Sequence, residues 1–463
     1  MEYQAVIGLE VHVQLKTHTK LFCGCSTEFG AEPNTQVCPV CLGYPGVLPV
    51  LNEEAVRKTI LAGLMLGCQI ARFSKWDRKN YFYPDMPKNY QISQYDLPLC
   101  RGGAITTGGK QFRLIRIHLE EDVAKSFHFA ETSGVDFNRA GIPLMEIVSE
   151  PDLHSPEDAF AFLTALKEIL ICGGVSDCDM EKGQLRCDAN VSVRPAGTTT
   201  FGEKVEIKNM NSISGVRRAL AYEIQRQIAV LKRGEKITQE TRRWDDETGV
   251  TSVMRTKEYA HDYRYFPEPD LVPLVISEAW LEQIRRTVPE LPEAKRRRFV
   301  QQYGLPDYDA EVLVANAAVA AYYEQAAALS NNPKAISNWI MTEMLGRFEQ
   351  NKIAPAQLAE LVAAIDNGQI SGKMAKEIFA EMFATGKSAG EIIREKGLAQ
   401  ISNKEQLEAW VDQVMAAHPK SVADYRAGNE VAINFLKGQV MKLSRGQANP
   451  QLVGEILLRK LRQ

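Results

Sequence analysis

The strongest constraint on this chain is a period of two that recurs in four separate stretches. In VIGLEVHVQL, Ile7, Leu9, Val11 and Val13 alternate with Glu10, His12 and Gln14. In LIRIHLEED, Ile115, Ile117 and Leu119 oppose Arg116, His118 and Glu120, with Glu121 and Asp122 at the end. LRCDANVSVR sets Cys187, Ala189, Val191 and Val193 against Arg186, Asp188, Asn190, Ser192 and Arg194, and KVEIKNMN sets Val205 and Ile207 against Lys204, Glu206 and Lys208. Successive side chains of a strand point to opposite faces, so each stretch predicts a strand with one apolar and one polar face. For any single strand, a polar face turned to water is the ordinary explanation. Together, however, the four faces are rich in Glu, Asp, Asn and His, and Asp and Asn are poor strand formers. That composition favours a shared concave site. Glu10 and His12 lie about 7 Å apart along one strand and can lean toward one cation. Carboxylate oxygens with one or two nitrogen groups suit Mg²⁺, which keeps several waters and commonly bridges to phosphates.

Helices separate these strands. Asn52 followed by Glu53 and Glu54, then Val56, Ile60, Leu64 and Gly67, gives one helix with start, stripe and stop. A second runs from Ser155 and Pro156 through Leu163 and Leu170, and a third from Ser212 or Ser214 to Gly234. Strands close in sequence favour antiparallel or mixed pairing over a doubly wound parallel sheet. From TVPELPEAKRRRF onward helical spacing dominates. The expectation is an α+β chain of 463 residues: a large mixed or antiparallel-sheet domain over 1–291, an all-helical domain over 292–400 and a small helical tail over 401–463. The basic run Lys295 to Arg298 reads as a solvated helix face.

Four of the nine cysteines fall within nineteen residues, as Cys23-x-Cys25, twelve residues, then Cys38-x-x-Cys41. Two short thiolate pairs on tight knuckles present four sulfurs to one point, the donor set of a structural zinc site. The alternative is four free or disulfide-bonded cysteines. Four protein thiolates fill a tetrahedral shell and leave no position for a reactive water, so the expected zinc is a clasp and the chemistry lies elsewhere.

The opening MEYQAVIGLEVHVQL has no basic region followed by an apolar one and a small-residue cleavage site, and no run of about 18 apolar residues occurs. A cytoplasmic protein with reduced thiols and no membrane association is expected. Neither GxxxxGK[ST] nor GxGxxG is present, and serine and cysteine nucleophile signatures are absent. Any ATP site must then be built on a sheet from carboxylates, metal and lysines. The loop DRKNYFYPDMPKNYQIS, with Lys79 and Lys88, could supply a phosphate-binding lysine and a wall for a base or ribose. Residues 431–463 carry six Lys/Arg against one acid, a local excess of +5 in a chain whose net charge is −3. That sign suits sequence-independent phosphate contacts.

The stretches IGLEVHVQL, WDRKNYFYPDMPKNYQIS, HLEEDVAKS, FNRAGIPLMEIVSEPD, LRCDANVSVRP, EIKNMNS, ETRRWDDETG and DYRYFPEPDLVPL resemble, in this order, the family of B subunits of aspartyl/glutamyl-tRNA(Asn/Gln) amidotransferases, and GQVMKLSRGQANPQLV resembles that family's tail. The resemblance implies a cradle-shaped kinase and transamidase domain, a helical linker and a tail that touches the tRNA elbow. It implies ATP-dependent activation of the side-chain carboxylate of Glu-tRNA(Gln) or Asp-tRNA(Asn). The partners it implies are an A subunit, the amidase (glutaminase) that delivers ammonia, and a small C subunit. Carried residue by residue, the catalytic and Mg²⁺ role falls on Glu10, His12, Glu120, Glu121, Asp188 and Glu206, with Glu146 and Glu150 as further Mg²⁺ candidates. Phosphate and acyl-phosphate contacts fall on Lys79, Lys204 and Lys208, zinc on Cys23, Cys25, Cys38 and Cys41, and tRNA on Lys437, Lys442, Arg445, Arg459 and Lys460. Two other readings remain: a non-catalytic, zinc-containing RNA-binding module, and a stand-alone ligase using free ammonia.

Overall fold

The alternation in VIGLEVHVQL is realised as β1 (Tyr3–Gln14), in which Ile7, Leu9, Val11 and Val13 are all at most 1% exposed. In the computed structural model, which describes residues 2–256, 263–397, 403–444 and 447–462, the chain divides into two units, Met1–Pro292 and Glu293–Gln463. Besides β1 the first unit carries β2 (Asp77–Asn80), β3 (Tyr90–Ser93), β4 (Lys110–Glu121), β5 (Pro143–Ser149), β6 (Leu185–Pro195), β7 (Val205–Met210), β8 (Glu240–Asp245) and β9 (Val250–Thr256). Its main sheet runs β9-β8-β7-β6-β1-β5-β4 and continues through the short strands Cys100–Arg101 and Gln69–Ile70. Pairing is antiparallel except between β7 and β8, which are parallel and joined through a helix. This is the α+β class expected from the sequence, with a mixed sheet first and helices after it.

Three helices close the apolar side of the sheet. Asn52 accepts from the backbone N–H groups of Glu54 and Ala55 and starts α1 (Glu53–Met65). Ser155 caps α2 (Pro156–Cys172), and Ser212, not Ser214, caps α3 (Ile213–Lys232). These side chains satisfy N–H groups that have no partner in the first turn. The helix α3 packs on β6 and α2, and α1 packs on β4, so Val56, Leu163 and Leu220 join Ile7, Val11, Ile117 and Ile147 in one core. With the apolar side shut, the polar side chains of β1 and β4 to β7 share the other face. The β2–β3 hairpin borders the end of β4 there, where Ser93 Oγ lies 3.3 Å from Glu120.

Among the described residues of the second unit the regular elements are helices, and they enclose two apolar cores. One includes Phe299, Tyr323, Leu358, Phe379 and Ile392; the other includes Leu407, Val411, Leu436, Val440 and Leu457. The boundary expected at 400/401 lies outside the described residues. Lys295, Arg297 and Arg298 of the basic run pair with Glu293 and Glu324 of the same unit. No described helix is long and apolar enough to cross a membrane.

Candidate active site on the polar face of the sheet

Register decides which polar residues meet. On adjacent strands His12 of β1 stands opposite Glu146 of β5, and Glu146 stands opposite His118 of β4. Glu120 follows His118 by two residues and so shares its face. The result is a compact group in which Nε2 of His12 lies 3.3 Å from Glu146 and 3.8 Å from Glu120, while Nε2 of His118 lies 3.8 Å and 3.7 Å from the same two acids. Glu120, His118 and Glu146 are only 2%, 4% and 8% exposed. One ligand atom each from His12, Glu120 and Glu146 falls within 4.8 Å of the others, a spacing that could hold a metal ion.

The electrostatics of the group are mutually supporting. Burial alone would raise the carboxyl of Glu146, but His118, His12 and Lys79 outweigh it and hold that acid far below the usual carboxylate range. Glu120 is lowered in the same way, burial being outweighed by neighbouring His118 and Lys79. Burial would lower His12, yet its hydrogen bond to Glu146 and the charges of both acids raise it. Lys79, on β2, is likewise raised, because the pull of Glu120, Tyr265 and Glu146 exceeds the cost of burial. Its ammonium sits 5.0 Å from the ring centre of Tyr263, and Tyr265 stacks on Tyr95 at 4.1 Å. Nδ1 of His118 is buried and has no hydrogen-bond partner, the kind of atom that a bound ion, water or substrate group satisfies.

Two further strands extend the face. Glu10 stands opposite Asp188 and accepts a 2.9 Å hydrogen bond from Asn190. Lys208 pairs with Asp188 and, at 3.2 Å, with Glu206, whose carboxylate also accepts from Thr241 at 2.8 Å. The pull of these two acids overcomes burial and raises the Lys208 ammonium. Nearby, Asp122 is held by Gln14 at 2.7 Å and Arg186 at 2.8 Å, and its carboxyl is lowered because Arg186 and Arg139 outweigh burial.

Not every residue singled out from the sequence joins this group. Glu121 points to the opposite side from Glu120, as adjacent strand residues must, and is bound by Lys88. Glu150 lies past the end of β5, four residues and about 13 Å of extended chain from Glu146. Lys204 is exposed and precedes β7. In the second unit, Arg459 and Lys460 are paired with Glu408 and Asp412, Lys437 is half-buried, Lys442 is exposed, and Arg445 lies outside the described residues. Conversely, the structure adds His118, Asp122 and Tyr263. His118 was on the polar face by alternation; Tyr263 had only its place in an aromatic-rich stretch as a signal.

The four cysteines of the loop after β1 converge, one sulfur from each lying within 4.8 Å of the others, and all are free. The Cys38 N–H points at the Cys41 sulfur at 3.2 Å, and Leu42 N–H closes the knuckle onto Cys38 O at 3.0 Å. Hydrogen bonding from Cys23 and, after it, from the Cys38 backbone, with the nearby Lys20 charge, overcomes burial and lowers the Cys41 thiol to about 4. Burial pushes Cys25 up to about 11. Beside this knot lies a cavity of about 240 Å³ lined by Tyr44, Lys88, Tyr90, Glu121 and Asp270 among others. Gly43, at φ +70°, lets Lys88 lie directly on the second knuckle, since a Cβ there would stand 2.5 Å from Lys88 Cγ.

A model described as the GatB/GatE catalytic domain matches residues 5–282, and a second, described as the GatB domain, matches 321–461. The chain is 55% identical to a protein of Caldanaerobacter subterraneus subsp. tengcongensis over the full length of both, and 56% identical to one of Carboxydothermus hydrogenoformans over 99% of each. A protein of Thermodesulfovibrio yellowstonii is 54% identical over its full length. All three are named as the B subunit of aspartyl/glutamyl-tRNA(Asn/Gln) amidotransferase. The chain belongs to the GatB/GatE catalytic-domain family.

Proposed function

We propose that this chain is the ligase subunit of a tRNA-dependent amidotransferase. It uses ATP to phosphorylate the side-chain carboxylate of misacylated Glu-tRNA(Gln) or Asp-tRNA(Asn), and ammonia then replaces the phosphate to give Gln-tRNA(Gln) or Asn-tRNA(Asn). A carboxylate oxygen attacks the γ-phosphorus as ADP leaves; ammonia attacks the acyl carbon as phosphate leaves. The relatives' name makes each of them one member of a multi-subunit enzyme. The complex we propose for this chain is cytoplasmic, with an amidase partner, the A subunit, that releases the ammonia and a small C subunit that completes the assembly.

The observation that carries the reading is the convergence of His12, Glu120 and Glu146 from three adjacent strands in a recessed place bordered by Lys79. Two buried acids with imidazole beside them offer oxygen and nitrogen donors of the kind a hard divalent cation takes. His12, Glu120 and Glu146 would hold Mg²⁺ there, and it would supply charge neutralisation for the crowded phosphates. Lys79 contributes a second, fixed positive charge, and Tyr263 beside it forms an apolar wall. Lys208, with Asp188 and Glu206, offers a cation for the acyl phosphate, and Glu10 links the two groups. Glu121 acts from behind the face by fixing the end of β4 to Lys88. Glu150 and Lys204 stand outside the proposed site.

The cysteine knot fits zinc as a structural ion, four sulfurs with no opening for substrate. Lys437 and Lys442 are the proposed tRNA phosphate contacts of the tail. The alternative of a non-catalytic RNA-binding module requires the polar face to be solvated, whereas Glu120, His118 and Glu146 are buried. Reconstitution with an amidase partner tests the proposal: ADP should form only when mischarged tRNA is present, and Glu120→Gln should abolish it. ATP cleavage that ignores tRNA refutes the reading.

A further inference from the structure

Lys20 is 1% exposed, an unusual place for an ammonium group. Its Nζ lies 3.6 Å from the sulfur of Cys41 and 3.2 Å from the carbonyl oxygen of Phe137. Among the described residues no aspartate or glutamate forms an ion pair with it; Glu121, which lines the same cavity, is bound by Lys88. A buried ammonium without a countercharge is strongly unfavourable, so the negative partner here is the sulfur cluster itself. The backbone enforces the approach. Lys20 N–H donates to Cys25 O at 3.0 Å, and Leu21 N–H to Gly141 O at 2.8 Å. Gly141 adopts φ +83°, and a Cβ on it would meet Lys20 Cδ and Cys41 Cβ, each at 3.6 Å. The stem of the lysine therefore runs through a slot made by a glycine on one side and the second knuckle on the other.

We propose that Lys20 is a positioning residue for the metal at Cys23, Cys25, Cys38 and Cys41: its ammonium donates an N–H···S hydrogen bond to Cys41 and offsets part of the charge of the thiolates. Four thiolates around a divalent ion carry a formal charge of about −2, and one buried lysine halves it. The second hydrogen bond, to Phe137 O, ties the knot to the segment that precedes β5. A donor of this kind orients its ligand and, being cationic, offsets the mutual repulsion of the four thiolates, so its loss weakens metal binding even though every ligand remains.

This inference rests on the zinc reading, and the test separates the two. Full-length protein is loaded with Zn²⁺, its retention against a competing chelator is titrated, and Co²⁺ is substituted to read the sulfur-to-metal charge-transfer band. The wild type should take up one ion on four thiols. Lys20→Met and Lys20→Gln should weaken zinc retention about 10- to 100-fold. Their cobalt band should move to lower energy, because a sulfur without its N–H donor gives up an electron more readily. Lys20→Arg should stay closer to the wild type in both readouts. Wild-type uptake with Lys20→Met unchanged in affinity and spectrum overturns the role of Lys20; failure of the wild type to bind through the thiols overturns the zinc reading with it. Should Lys20→Met not accumulate folded, Lys20→Arg against Lys20→Gln decides, and equal retention in the two overturns the proposal.

Discussion

Replacing Glu146 by glutamine removes one of two acids whose oxygens approach within 4.8 Å of each other. At an effective dielectric constant of about 20, two unit charges at that distance repel by about 3.5 kcal/mol. By the same arithmetic Arg116, 3.9 Å from Glu146, attracts it by a similar amount, and Lys79 adds to that, so the two cations balance the repulsion and removing the acid leaves them uncompensated. The size of the loss depends on pH. His12 is raised above its ordinary 6.5, so its stabilising contribution is complete below 6.5 and is lost as pH rises through the folded-state value. Glu120 and Glu146 are lowered from 4.5, so theirs is present above 4.5 and is lost as pH falls through the folded-state values. Without metal, the group is therefore most favourable between 4.5 and 6.5. Thermal unfolding without metal should find Glu146→Gln less stable than wild type at pH 6, where it forfeits its contact with charged His12. At pH 9, with the charge of His12 reduced, the deficit should be smaller. Adding Mg²⁺ at pH 9 should raise the wild type and leave the variant unchanged. A deficit that is the same at both pH values, with Mg²⁺ raising both proteins equally, would show that Glu146 is a buried structural acid and would refute the cation site.

Three other outcomes follow from single contacts. Gly43→Ala puts a Cβ 2.5 Å from Lys88 at a positive φ, so thermal unfolding should show a loss of about 1–3 kcal/mol. Asn52→Ala removes the cap of α1 and a 3.0 Å hydrogen bond from its amide to Thr19, and urea unfolding should register about 1 kcal/mol. For tRNA, Lys442→Ala should reduce the slope of log affinity against log salt by about one in anisotropy titrations. Arg459→Ala, whose charge is already matched by Glu408, should reduce it less. Equal changes would count against the division between them.

Legibility in the sequence followed the reach of the interaction concerned. Alternation and capping are local, so β1, β4, β6 and β7 form on the four stretches of period two, and α1, α2 and α3 start and stop within a residue or two of their expected limits. The pleat also separates Glu120 from Glu121, yet choosing both from HLEED followed the motif rather than the period. Glu146 carried a readable sign, one charge in the otherwise apolar strand PLMEIVS, which is tolerable in mid-sheet only if something meets it. His118 had no such sign, because a histidine on a polar face looks the same whether or not two acids converge on it. Tyr263 reaches Lys79 across 184 residues of chain, and Arg459 reaches Glu408 across 51; those pairings arise from packing that no local pattern encodes.

The position of β1 bears on how such a chain is made. It lies between β5 and β6, yet the first residue of β6 follows its own last residue by 171 positions. At about 5–20 residues per second of synthesis, this strand waits on the order of ten to thirty seconds for both neighbours to leave the ribosome. During that interval the edges of a strongly apolar ribbon are open to any passing partner. A chaperone that shields β1 until β5 and β6 have emerged should therefore govern the yield of active enzyme more than one that acts on the helical half.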